Sequence, residues 1–367
     1  MILSAVPAGQ DWFPLPSPIS TLTMTRPDDW HLHLRDGPEL AAVAAFTARA
    51  FARAVVMPNL KPPVTTVEAA RRYRERILAA LPAGSQFEPL MTLYLTERMD
   101  PAEVDRAAGS GFIVGIKCYP AGATTHSDAG VTSLDRCRAV LERMEERDVV
   151  LQLHGEATAA DVDPYDRESV FIERELMPLV QRHPRLRIVL EHVTTIAGVG
   201  FVRAQGARVA ATLTPQHLLL NRGAMFAGGL RPHLYCLPLL KRERDREALV
   251  AAAISADPRF FLGTDSAPHA RAAKESACGC AGVFSAHAAL ELYAQAFEQA
   301  GALDRLEAFA SHRGADFYRL PRNSGTVTLA RSAWTVPASY AFGAGEVVPM
   351  GAGERLEWKL QAPGASL

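Results

Sequence analysis

The chain has no surplus of charge, no long apolar run and no even set of cysteines, and each deficit removes a class of function. Thirty-nine basic against forty acidic side chains leave a formal net charge of -1, so no overall field draws in nucleic acid or an anionic membrane, and neither is expected as a partner. No apolar stretch reaches the ~20 residues that span a bilayer. The N-terminus lacks the basic start and apolar core of a secretory signal, and a cytoplasmic location is expected. Five cysteines are an odd number, scattered except for Cys278 and Cys280, which suits a reducing compartment better than a disulfide framework. A Cys-Gly-Cys pair without a matching second pair is a weak zinc signal. Also missing are a Gly-x-Gly-x-x-Gly after the first strand and a Gly-Lys-Ser/Thr phosphate loop, so open nucleotide-binding sheets lose their usual support.

What remains is a globular chain of 367 residues, 48% hydrophobic and 22% charged, long enough for one large domain or two smaller ones. Its proline-rich opening shows no period, which predicts an extended arm over residues 1–22. Thereafter short β-branched or apolar runs alternate with longer stretches of helical spacing, the pattern of βα units around a parallel sheet. Strands are expected at Thr23 to His33, Ala54 to Pro58, Pro89 to Leu95, Ile113 to Tyr119, Val149 to His154, Arg187 to His192, Arg208 to Leu213 and Phe260 to Asp265. Helices such as "PELAAVAAFTARAFA" and "TVEAARRYRERILAAL" lie between them. This predicts an α/β fold, a (β/α)₈ TIM barrel over residues 23–320. From Gly325 onward, short β-like pieces such as "GTVTLA" and "RLEWKL" sit among glycines and prolines, and residues 321–367 are expected to form a small appendage packed on the barrel.

In such a barrel the C-terminal ends of the strands converge on one pocket. Here they read "DDWHLHLRDG", "MPNL", "GIKCYPAG", "LQLHGE", "VLEHVTT" and "LGTDSAPH". His31 and His33 are two apart on a strand, so both imidazoles point to one face and can reach one metal ion. His154, His192 and Asp265 each end another strand. Taken singly, each is ordinarily a hydrogen-bonded polar residue; taken together they make a nitrogen and oxygen set suited to zinc, with iron or manganese as alternatives. Lys117 is the odd member, a cation closing the apolar run "FIVGIK".

The motifs "HLHLRDG", "GIKCYPAGATT", "HGE", "EHVTT", "CLPLLKRE" and "GTDSAPHARAAKESACGCAG" resemble, in order, those of the dihydroorotases of the amidohydrolase superfamily. They span Asp28 to Gly282. The resemblance implies the reversible cyclisation of N-carbamoyl-L-aspartate to L-dihydroorotate with loss of water, in pyrimidine synthesis. It also implies two Zn²⁺ per subunit, one held by His31, His33 and Asp265 and the other by His154 and His192. Lys117 would bridge them as an N6-carboxylysine, which requires carbon dioxide or bicarbonate. An ammonium between two divalent cations would be strongly repelled, whereas a carbamate is anionic and offers an oxygen to each. A hydroxide of the metal pair would attack the ring amide, with Asp265 acting as general base and then general acid.

By the same resemblance Arg35, Asn59 and His269 would receive the substrate carboxylate, and Leu237, Ala281 and Gly282 would meet the ring edge through backbone groups. Thr124 and Thr125 sit in "AGATTHSDAGV", a small-residue loop expected to close as a lid. A homodimer is expected from the family. Two rivals share part of this pattern. A hydantoinase or allantoinase would keep the metals and the lysine but not Arg35, Asn59 and the "CGCAG" loop. A catalytically silent scaffold barrel would be expected to have lost metal ligands.

Overall fold

The computed structural model describes residues 19–277 and 279–362; most of the expected arm, residues 1–18, lies outside them. Eight parallel strands follow one another around a sheet in sequence order: β2 (Asp28–Leu32), β3 (Arg53–Val56), β4 (Glu88–Tyr94), β5 (Ile113–Cys118), β6 (Val150–His154), β7 (Ile188–Glu191), β8 (Val209–Leu213) and β9 (Phe260–Leu262). The ends of the sheet meet through a bridge between Leu32 and Ser266, so the sheet closes into the (β/α)₈ barrel that the βα alternation predicts.

The expected first strand, Thr23 to His33, is two strands. Pro27 has no amide hydrogen to donate to a ladder, and the chain changes sheets there. β1 (Thr21–Thr25) pairs antiparallel with β10 (Thr326–Thr335), which in turn pairs with β13 (Arg355–Leu360). Alternation along β13 buries Leu356, Trp358 and Leu360. A small hairpin of β11 (Tyr340–Phe342) and β12 (Gly345–Val347) lies between them in sequence.

Two cores position the site. Between the strands and the surrounding helices lies the larger, which includes Leu32, Leu93, Ile116, Leu151 and Leu190. Inside the barrel Trp30, Val55, Leu90, Val150, Val189 and Phe261 form a plug, closed below by Tyr318, which stacks on Trp30 at 4.6 Å. The inward-facing layer above is polar, with Gln152, Glu191 and Thr212 all fully or almost fully buried. The β2–β3 register shifts between Asp29 and Leu32, and such a bulge re-aims side chains. It lets Trp30 join the plug while His31 and His33 also face inward. A second shift lies where β5 pairs with β4, just before Gly115 and Lys117.

Candidate active site

The hydrogen bonds that close the barrel are made by the predicted ligands themselves: Asp265 N–H donates to His31 O at 2.9 Å, and His33 N–H to Ser266 O at 3.1 Å. The first and last strands thereby bring three donor atoms together. His31 Nε2 lies 3.3 Å from His33 Nε2 and 3.4 Å from Asp265 Oδ1, and His33 Nε2 lies 3.2 Å from the same oxygen. Donors about 2.0–2.2 Å from a tetrahedral ion stand roughly 3.3–3.6 Å apart, so the spacing fits a metal. Among the described residues this is the one His, Cys, Asp and Glu cluster of that geometry.

His192 and His154 continue the array. The His192 ring lies 5.0 Å from that of His31 and 4.8 Å from that of His154. His192 Nδ1 is buried without a partner. Lys117 is fully buried beneath them, and its Nζ has no hydrogen-bond partner either. A buried ammonium with no partner is costly, and burial lowers the Lys117 pKa to about 8. The orphaned amine and imidazole fit a site completed by a bound metal and a modified lysine. Burial likewise holds His31, His33 and His192 below the usual imidazole range. Neutral imidazoles are the form that binds metal.

Two carboxylates absent from the expected set orient these rings. Glu191 Oε2 lies 2.8 Å from His31 Nδ1 and accepts from Thr212 Oγ1 at 2.6 Å. Glu156 Oε2 lies 2.8 Å from His154 Nε2, which leaves Nδ1 for a ligand. Both have essentially no exposure. The signals were in "LEH" and "HGE": an acidic residue ending an apolar strand, or two residues past a ligand histidine, has few reasons to be buried except a partner. Tyr119, also unassigned by its sequence position, lines the cavity with its hydroxyl buried and unpartnered.

A narrow pocket opens above the array, walled by His31, His33, Asp265, His154 and His192 on one side. Arg35, Asn59, Thr124, Thr125, Leu237, Ala281 and Gly282 complete the wall. His269 instead lines an adjoining outer cavity that Arg35 and Asn59 share. Arg35 does not continue the strand. β2 ends at Leu32, and Arg35 reaches the cavity from a left-handed turn at φ 61°. His192 and Asp265 are also left-handed, at 42° and 44°. Each such residue costs about 1–2 kcal/mol, a strain that clusters at functional positions.

Arg35 Nε donates to Pro268 O at 2.8 Å and Nη2 lies 2.9 Å from His269 Nε2, leaving Nη1 uncommitted among the described residues. Burial lowers the His269 pKa to about 2, so the ring is neutral. Asn59 has a second task beside the one expected of it. Its Oδ1 lies 2.9 Å from His33 Nδ1, and its Nδ2 donates to Thr125 O at 3.1 Å. The loop after Lys117 is thus docked over the cavity, its neck tied by Val131 N–H to Tyr119 O at 2.8 Å.

Residues 28–344 match the model of the amidohydrolase family. The chain is 66% identical to a dihydroorotase of Laribacter hongkongensis, over 93% of this chain and 99% of that protein. Among solved structures, dihydroorotase from Campylobacter jejuni is 36% identical, with a TM-score of 0.86, covering 94% of this chain and 98% of that one. Dihydroorotase from Saccharomyces cerevisiae, in complex with 5-fluoroorotic acid, is 32% identical with a TM-score of 0.87, covering 95% and 100%. Family model, relatives and barrel agree, and the chain belongs to the amidohydrolase family, among its dihydroorotases.

Proposed function

We propose that this chain interconverts N-carbamoyl-L-aspartate and L-dihydroorotate plus water in pyrimidine biosynthesis, using two zinc ions and a carboxylated Lys117. The observation that carries the reading is the 3.2–3.4 Å triangle of His31, His33 and Asp265 beside the unpartnered Lys117 and His192. His31, His33 and Asp265 would hold one ion and His154 and His192 the other, with Lys117, as its carbamate, shared between them. Bound there, the metal pair supplies a water acidic enough to ionise near neutral pH and polarises the amide carbonyl.

The rest falls to the chain. In hydrolysis a C–O bond forms at the ring amide carbon and its C–N bond breaks. Asp265 takes the proton of the attacking water and returns it to the departing nitrogen; cyclisation runs the same steps backward. Arg35, with Nη1 uncommitted, receives the substrate carboxylate together with Asn59 and His269. Leu237, Ala281 and Gly282 meet the ring edge, and Thr124 and Thr125 cover it and exclude water. The working unit is the barrel, which was expected over residues 23–320 but whose strands begin at β2, with β1 joining the appendage of 321–367 in its sheet. A cytoplasmic homodimer completes the reading by resemblance, and sedimentation velocity gives its mass.

The test is turnover by the zinc-loaded enzyme. Dihydroorotate should be hydrolysed and N-carbamoyl-L-aspartate cyclised, with hydantoin and allantoin poor substrates. Preference for either of the latter would defeat the proposal.

A further inference from the structure

Lys274 is a buried lysine, 3% exposed, at the end of the short helix Arg271–Lys274. Among the described residues no carboxylate pairs with it. Its three ammonium protons instead meet three backbone carbonyls: Tyr235 O at 2.7 Å, Cys280 O at 2.8 Å and Gly282 O at 2.7 Å. An ammonium is a compact head with three donors, and here all three are used on two separate segments. One segment leads into Leu237 and the other contains Ala281 and Gly282, which all line the catalytic cavity.

The consequence follows from peptide geometry. Across a planar trans peptide, the carbonyl of one residue and the N–H of the next point in opposite directions. Drawing Cys280 O toward Lys274 turns the Ala281 N–H away from it. That N–H has no acceptor among the described residues, whereas the next one, Gly282 N–H, donates to Tyr235 O at 3.0 Å. The Ala281 carbonyl faces the other way and lies 3.0 Å from His269 Nε2. The carbonyls from Cys280 to Gly282 therefore turn alternately toward Lys274 and toward the site. Burial lowers the lysine pKa to about 8, so the ammonium form prevails at neutral pH.

We propose that Lys274 is a positioning residue for substrate: by clamping the carbonyls of Tyr235, Cys280 and Gly282 it aims the free Ala281 N–H into the cavity as a donor to a ring carbonyl of dihydroorotate. The identity of that ligand rests on the function proposed above; the clamp does not.

The test uses the zinc-loaded full chain carrying Lys274→Met, which keeps the length and removes the donors. Its KM for dihydroorotate should rise about 10-fold with kcat changed less than about threefold, as expected when a hydrogen bond to bound substrate is misaimed. Zinc content should stay at the wild-type level. Hydrogen exchange should quicken at residues 279–284 and not in the barrel strands. An unchanged KM in folded, zinc-loaded Lys274→Met overturns the proposal whatever the exchange shows. If the methionine variant does not fold, Lys274→Ala prepared with ethylammonium takes its place. A KM that falls as ethylammonium is added supports the clamp, and a KM independent of it overturns the clamp. If the wild type itself does not turn over dihydroorotate, the functional reading has failed separately. The clamp is then judged on exchange alone, and unchanged exchange overturns it.

Discussion

His31 Nδ1 lies 2.8 Å from Glu191 Oε2, and that contact decides which nitrogen of the imidazole faces the cavity. With Nδ1–H donated to the carboxylate, Nε2 carries the lone pair, and Nε2 is the atom 3.3 Å from His33 Nε2 and 3.4 Å from Asp265 Oδ1. Carboxylates behind ligand histidines fix the tautomer and raise ligand basicity, and removing one weakens metal binding by about 10–100-fold. Glu191→Gln keeps the volume and an acceptor but loses the charge. It should lower zinc affinity by about that factor while leaving the thermal midpoint of the metal-free protein near wild type. A competitive chelator titration decides it; wild-type affinity would make Glu191 a spectator.

Lys117→Ala removes the amine that would bridge the two ions. Metal catalysis supplies several kcal/mol, so activity should fall roughly 10³-fold and most zinc should be lost. Short carboxylic acids, filling the space of the missing carbamate, should restore part of both. Zinc per chain and turnover, with and without added acetate or propionate, are the measurements. Wild-type turnover without added acid would contradict the bridging role.

The same lysine gives a pH dependence in the metal-free protein. Burial lowers its pKa to about 8, with Glu191 and Asp265 pulling the other way. Only the neutral amine reacts with carbon dioxide. At pH 7 that form is about a tenth of the total, against roughly 1 in 3,000 for a lysine at its ordinary value. Lowering the pKa therefore favours modification, and the gain saturates once pH passes the shifted value. With zinc and dissolved carbon dioxide held constant, reactivation of metal-free enzyme should quicken about tenfold from pH 6 to 7 and level off above about pH 8. A rate still climbing at pH 10 would mean the lysine is not perturbed.

In the proposed reaction Asp265 would serve as ligand and proton carrier at once. Asp265→Asn keeps the shape and the oxygen that lies 3.2 Å from His33 Nε2, but the amide cannot hold the proton in transit. General acid–base groups contribute about 10²–10⁴-fold. Because an enzyme cannot alter the equilibrium constant, kcat/KM must fall by the same factor for hydrolysis and for cyclisation. Assays in both directions test this. A loss under about tenfold would assign the proton to another group.

Much of this site could be read along the chain because a barrel converts strand ends into one surface. His31, His33, Lys117, His154, His192 and Asp265 were each visible as a polar residue ending an apolar run. What could not be read depends on contacts distant in sequence. The break at Pro27 is visible, but the exchange of sheets there depends on pairing with residues 326–330. Glu191 is silent until β8 brings Thr212 alongside and the closed barrel brings His31. Nothing in "ARAAKESACG" sets Lys274 apart from its neighbours, since its carbonyl acceptors belong to loops whose path no local pattern encodes. Arg35 is delivered by a left-handed turn that arises after the strand has ended, and no local pattern in the sequence marks it.

Asn59 links His33 to the loop over the pocket, and its two side-chain contacts can be separated. Its Oδ1 pairs with His33 Nδ1 at 2.9 Å and its Nδ2 donates to Thr125 O at 3.1 Å, while His126 Nδ1 approaches its backbone carbonyl at 3.3 Å. Asn59→Ala cuts both side-chain links, so zinc affinity should fall and KM for dihydroorotate should rise together. Asn59→Asp keeps an acceptor for His33 but has no donor for Thr125, and it sets a negative charge where the substrate carboxylate is proposed to bind. Zinc affinity should then stay near wild type while KM rises at least about 10-fold, since a lost donor and a like charge each weaken anion binding. Hydrogen exchange in residues 121–131 should quicken in both variants, because the lid has lost the same tether. If Asn59→Asp instead loses zinc as readily as Asn59→Ala, holding His33 depends on more than the Oδ1 contact. If neither variant frees the loop, the lid is held from Ala281 and its own neck, and Asn59 acts on substrate alone.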